Sequence, residues 1–106
     1  TADLADDAAV ASLFTRIKAA YGGLDVLVNN AGTCFMSDFP DIPAAEFKAQ
    51  MAINFDSCFY CCQAAIPLML NRDGVRKIIN ISSNGAYNFD VFDPPITVPA
   101  RRRWIT

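Results

Sequence analysis

Two short polar clusters combine side chains that can hydrogen-bond a ligand with residues small enough to let it come close. Asn29-Asn30-Ala31-Gly32 follows the apolar run Leu24-Asp25-Val26-Leu27-Val28, and Ser82-Ser83-Asn84-Gly85 follows Lys77-Ile78-Ile79-Asn80-Ile81. Their amides and hydroxyls donate and accept hydrogen bonds, and Ala31 and Gly32 let the backbone itself approach a bound molecule. A third polar candidate, Asn54, stands inside the apolar stretch Ala52-Ile53-Asn54-Phe55. Other chemistries are excluded by composition. The chain has no histidine, which removes Ser-His-Asp and Cys-His hydrolysis and leaves any zinc site to cysteine and carboxylate alone. We expect no metal site. Cys58-Phe59-Tyr60-Cys61 has the C-x-x-C form, but it falls mid-helix with aromatic residues between the thiols. That pattern reads as core packing rather than redox or metal work. Three of the four cysteines crowd this one segment, so no disulfide framework is expected and a reducing, cytoplasmic setting is the default.

The elements that must position these residues follow from periodicity. Residues 6–21 read as an amphipathic helix. Asp6 caps it, and Asp7 sits in the first turn, where negative charge suits the helix dipole. Val10, Leu13, Phe14, Ile17 and Tyr21 form its apolar stripe, and Gly22-Gly23 stops it. Residues 24–28 read as a strand buried on both faces, as in parallel sheets. Residues 29–40 read as a loop. Asp41-Ile42-Pro43 opens a second helical region whose apolar pattern runs from Phe47 to about Leu70, with Pro67 expected to kink or break it. Arg72-Asp73-Gly74 is a turn, and residues 77–81 are a second buried strand. Beyond Tyr87 the pattern fails: the stretch to Thr106 has no sustained period, three prolines and a basic cluster. Two buried strands joined by a helix make a right-handed βαβ unit with a parallel pair. Ligands of such sheets bind beyond the carboxyl ends of the strands, where both polar clusters fall.

Size and charge bound the rest. The chain has 106 residues, enough for one small domain, and 53% of them are hydrophobic. Its net charge is −2 with acids and bases mixed, and the only basic run is Arg101-Arg102-Arg103. We therefore expect neither a nucleic-acid nor a membrane partner. No apolar stretch is long enough to cross a bilayer, and no initiator Met or signal-peptide pattern is present. Thr1-Ala2-Asp3-Leu4 reads as the middle of a larger chain.

Leu27-Val28-Asn29-Asn30-Ala31-Gly32 resembles the Asn-Asn-Ala-Gly signature of short-chain dehydrogenases/reductases. Three further matches fall in order. Asp3-Leu4 before a helix, Asn54 on the long helix, and Asn80-Ile81-Ser82-Ser83 at a strand end each resemble a family motif, and Pro67 late in the long helix is also familiar there. The resemblance covers roughly residues 1–88. It implies an α/β fold, part of a doubly wound Rossmann-like parallel sheet. It also implies hydride transfer between NAD or NADP and a small carbonyl or alcohol substrate. In that frame Ser83 donates a hydrogen bond to the substrate oxygen and Asn54 holds a water of the proton relay. Asp3 and Leu4 meet the adenine, and Asn30, Ala31 and Gly32 lie against the cofactor. The long helix 47–70 would be a surface for homo-oligomer formation. Plainer readings stand beside these. Asp3 and Ser83 could be helix caps or turn residues, Asn54 a polar side chain bonded to backbone, and 29–32 only a polar turn.

The chain departs from the family in two places. No Gly-x-x-x-Gly-x-Gly turn precedes Asp3 to cradle a pyrophosphate, and no Tyr-x-x-x-Lys follows Ser83. Tyr87 is followed four residues on by Val91, and the last lysine is Lys77. Both the N-terminal βαβ part and the later strands of the family fold are missing. The chain by itself is thus expected to be inactive. Its remaining readings are a non-catalytic interaction module acting through the long helix, or a gene fragment without function. A lone βαβ unit with bare edges is also an aggregation hazard. The tail, residues 89–106, carries a separate reading as a frame-displaced stretch. Let each codon take the last base of one residue and the first two of the next. Ile96-Thr97 can then give Tyr, and Ala100-Arg101 can give Lys four codons later. The Arg-Arg junctions each allow Ala, and Trp104-Ile105 gives Asp whichever Ile codon is used. The product can read Tyr-Ser-Ala-Ser-Lys-Ala-Ala-Leu-Asp-Asn, as the family continues, at about the expected distance after Ser83.

Overall fold

The structure is a computed structural model that describes residues 1–34, 39–70 and 72–83; the tail and the Asn84-Gly85 end of the second polar cluster lie outside them. The first helix, α1 (Asp7–Tyr21), is set at both ends by local chemistry. The Asp6 carboxylate accepts the backbone N–H groups of Ala8 and Ala9 at 2.9 and 3.3 Å, donors that a first turn leaves without intrahelical partners. Gly22 closes the helix at φ 75°, a left-handed conformation that favours glycine, and its N–H donates to the Lys18 carbonyl. Val10 and Phe14 are buried, with Leu13 and Ile17 packed against them. Tyr21 departs from the expected stripe: it is 77% exposed, because no described element reaches over the last turn of α1.

Strands β1 (Val26–Asn29) and β2 (Lys77–Asn80) pair in parallel, Val26 opposite Lys77 and Asn29 opposite Asn80. The ladder is extended at both ends by Lys77 N–H to Asp25 C=O and Ile81 N–H to Asn29 C=O. Burial on both faces, expected from composition, is not what the structure shows. Leu27 and Asn29 are half-buried, Val26 and Val28 are exposed, and β2 is exposed throughout. The reason is the layering. Helix α3 (Ser57–Met69) packs on β1 and α1 packs on α3, so the described helices cover one face of β1 and leave β2 open.

The second helical region is divided where one run was expected. Helix α2 (Ala44–Met51) is followed by a π-turn, Ala52–Asp56, and then by α3. Ser57 N–H bonds to the Ala52 carbonyl, five residues back, and the buried Ser57 hydroxyl donates to the Ile53 carbonyl at 2.6 Å. Pro67 does not break α3 as expected. Its missing N–H costs one bond to the turn before it, and the helix still runs on to Met69. Leu70 N–H closes onto Ile66 C=O. Arg76 donates to the Met69 and Leu70 carbonyls, supplying charge-assisted donors to the negative end of the helix dipole.

Val10 and Phe14 of α1 meet Cys61, Ala65 and Met69 of α3 in the core. Cys61 is therefore a packing residue, in line with its mid-helix setting. Below the strands, three contacts tie β1 to the end of α3. Leu24 N–H donates to Leu68 C=O at 3.1 Å, Arg72 Nε meets Asp25 Oδ1 at 2.8 Å, and Gly23 is buried between them. A Cβ on Gly23 would stand 2.9 Å from the Leu68 carbonyl oxygen and 2.6 Å from the Arg72 side chain. Arg72 can swing aside, but the helix backbone cannot. Gly23→Ala is expected to destabilise the chain by about 1–3 kcal/mol, the usual range for overpacking. A urea titration followed by helicity checks this, with Gly22→Asn as a turn-compatible control.

Candidate active site

The sheet positions the site through its carboxyl ends. Both strands finish on asparagine, and the paired Asn29 and Asn80 lie side by side, with Asn29 Nδ2 donating to Asn80 Oδ1 at 2.8 Å. This cross-strand amide bond sets the spacing at which the two polar loops leave the sheet. The same Asn29 amide donates to Cys58 and Cys62 of α3 at 3.4 and 3.3 Å, so the strand tips are also tied to the helix behind them.

From there the first loop runs to the π-turn. Asn54 Oδ1 accepts Thr33 N–H at 2.8 Å, and Asn54 Nδ2 donates to Thr33 C=O at 2.8 Å. One side-chain amide thus pairs with one backbone residue through both of its ends, as a second strand would. The geometry requires Asn: Asp would lose the donor, and Gln would displace the amide by a methylene. Gly32 sits under this pair, and a Cβ there would lie 3.1 Å from Asn54 Oδ1, so the clamp and the small residue belong together. An amide carries two N–H groups and two carbonyl lone pairs. After the bonds to Thr33, one donor and one lone pair of Asn54 remain for a further partner.

The result is an open cleft of about 590 Å³ beyond the strand ends. Asn30, Ala31, Gly32, Asn54, Ser82 and Ser83 line it among the described residues. The structure thereby brings together five of the seven residues singled out in the sequence. The other two lie elsewhere. Asp3 turns its carboxylate back to Ala5 N–H at 2.9 Å, a local turn ahead of α1. Leu4 packs on the core and lines a second cleft, between α1, α3 and β1, that it shares with Asn30, Ala31 and Asn54. Thr33 and Gln50, which also border the first cleft, were missed. Thr33 is held through its backbone, which leaves no mark in the side-chain pattern, and Gln50 reads as an ordinary surface position of α2.

Titration near the site is dominated by the thiols. All four cysteines are outside disulfides. Burial, reinforced by the neighbouring Cys62 thiol and partly offset by the Asn29 amide, pushes the Cys58 thiol above its ordinary value of 9.0. Burial, with Cys62 and Cys58 beside it, does the same to Cys61. For an acid whose pKa is raised by folding, the folded chain holds its proton longer than the unfolded one. That contribution to stability is whole below the unfolded value and is lost as the pH climbs from about 9 through the folded one. Thermal unfolding followed across pH 8–11 should therefore show a falling alkaline limb, and Cys61→Ala together with Cys58→Ser should flatten it.

Comparison with known proteins agrees with this architecture. The family model for short chain dehydrogenases matches residues 1–92. D-beta-hydroxybutyrate dehydrogenase of Rhizobium meliloti is 35% identical over 82 residues, covering 77% of this chain and 31% of that protein. 3beta-hydroxysteroid dehydrogenase of Mediterraneibacter gnavus is 37% identical over 82 residues, with 76% and 29% covered. The chain thus spans about a third of the length of the curated relatives it matches. Among solved structures, a short-chain dehydrogenase/reductase from Serratia marcescens superposes with a TM-score of 0.73 at 35% identity, over 81% of this chain and 38% of that one. A metagenomic short-chain oxidoreductase in complex with NADP gives 0.71 at 36% identity, over 77% and 37%. In these structures, as in the chain described above, an α/β Rossmann-like arrangement carries the match, and the chain belongs to the short chain dehydrogenase family.

Proposed function

We propose that this chain is the central part of an NAD(P)-dependent oxidoreductase acting on a small carbonyl or alcohol substrate, and that its 106 residues are inactive by themselves. The observation that carries the reading is the single cleft shared by Asn30, Ala31, Gly32, Asn54 and Ser83 at the carboxyl ends of two parallel strands. This is where ligands of such sheets bind. The cleft suits a nicotinamide cofactor, because Ala31 and Gly32 leave the backbone accessible, and a Cβ at Gly32 would crowd Asn54 Oδ1 at 3.1 Å. When bound, the cofactor supplies or accepts the hydride. The chain's own residues do the rest. Asn30, Ala31 and Gly32 hold the cofactor against the strand ends. Asp3 and Leu4 serve its adenine end, Asp3 with the carboxylate oxygen left over from its turn. Ser83 donates to the substrate oxygen and fixes the carbonyl in place. Asn54 uses its remaining donor and lone pair to hold a water for proton transfer. NAD and NADP are both compatible with these residues.

The proton donor itself is assigned to the coding sequence of the tail. The family match stops at residue 92, shortly before Ile96, where the displaced frame opens its Tyr-x-x-x-Lys. A change of frame ahead of Ile96 accounts for a tail that loses all periodicity. Residues 1–88 then form the in-frame part of the oxidoreductase domain, and residues 89–106 the displaced stretch. Pure chain should show no NAD(P)H-dependent turnover and at most weak nucleotide binding by dye displacement or fluorescence. Measurable turnover sinks the claim of inactivity.

A second reading has its own observation. Phe47, Met51, Phe55, Phe59, Ile66 and Leu70 are all exposed along α2, the π-turn and α3. An apolar row of that extent marks an interaction surface, and it would suit a second copy or an intact homologue. Sedimentation at several concentrations should show self-association that Phe55→Glu with Phe59→Glu abolishes. No helix among the described residues is long and apolar enough to cross a membrane, and the cytoplasmic setting is part of this proposal.

A further inference from the structure

We draw no further inference here: the strongest candidate, the largely apolar cleft that Leu4, Leu13, Phe14, Ile17, Leu27 and Val28 line between α1, α3 and β1, carries nothing because nothing in the structure shows what covers it.

Discussion

Moving the reading frame of the tail by one base, with the flanking coding sequence in place, is expected to give an NAD(P)H-dependent reductase activity that the 106 residues should lack by themselves. The coding DNA is read first. Codons for Ile96 and Thr97 should spell Tyr across their junction, and those for Ala100 and Arg101 should spell Lys. Only one of the three Ile codons permits the Tyr, and only an AGA or AGG codon at Arg101 together with GCA at Ala100 permits the Lys. Agreement at both junctions is therefore a demanding outcome, and failure at either ends the frame-displacement idea without touching the reading of the cleft. The restored sequence, joined to whatever coding sequence flanks it, is then expressed and assayed with NADH and NADPH against small ketones and aldehydes. General acid–base groups contribute about 10²–10⁴-fold to rate, so turnover should depend on the restored Tyr by that margin. In the same protein, Ser83→Ala should lower kcat by about 10²-fold or more through loss of a donor to the developing oxyanion, with little change in cofactor affinity. Asn54→Ala should weaken both, because it frees the Thr33 backbone as well as the water. A restored protein that turns over equally well with Ala at position 83 would remove Ser83 from the mechanism.

Phe14→Ala will unfold the chain, whereas Phe59→Ala will leave it folded. Phe14 is 5% exposed and sits among Val10, Cys61, Ala65 and Met69, the only buried apolar residues among those described. Removing a buried Phe costs about 3–5 kcal/mol, which matches the lower part of the whole stability range of ordinary proteins, about 5–15 kcal/mol. A domain with so few buried side chains stands at the weak end of that range. Phe59 is 57% exposed and stands edge-on to Tyr60, ring centroids 5.9 Å apart. Its truncation should shift the monomer's urea midpoint by little, and its effect should appear instead as a drop in self-association. Helicity at 222 nm and sedimentation measured on the same samples separate the two outcomes. Equal destabilisation by both substitutions would mean that the α2–α3 row is covered by something within the chain.

Local chemistry made much of the fold legible. The Asp6 cap, the Gly22 stop and the apolar spacing of Val10, Leu13, Phe14 and Ile17 act within one or two turns, so α1 can be read from neighbours in sequence. The two strands and their parallel pairing follow from short β-branched runs separated by a helix, and both were placed to within two residues. The π-turn was not legible. Its one sequence signal is Asn54, a poor helix former inside an apolar helix, which reads as a functional residue or as a side chain bonded to backbone before it reads as a break. Pro67 does not end α3, which runs two residues further; its missing N–H and the crowding of its ring fall on the turn before it, and sequence alone does not say whether the packing of α3 tolerates that.

Residue types and their order determined by themselves that this chain is α/β, that Asp3, Leu4, Asn30, Ala31, Gly32, Asn54 and Ser83 are its candidate site residues, and which family it belongs to. Each of those rests on interactions between near neighbours or on motif spacing. Only the tertiary structure decided that one side-chain amide, Asn54, carries the Thr33 backbone. It alone placed two thiols of α3 on the asparagine pair at the strand tips, and it alone left one face of the sheet open. Those facts join residues 21–51 positions apart. Which distant groups come within hydrogen-bond reach depends on how helix and sheet layers stack, and no local pattern encodes that.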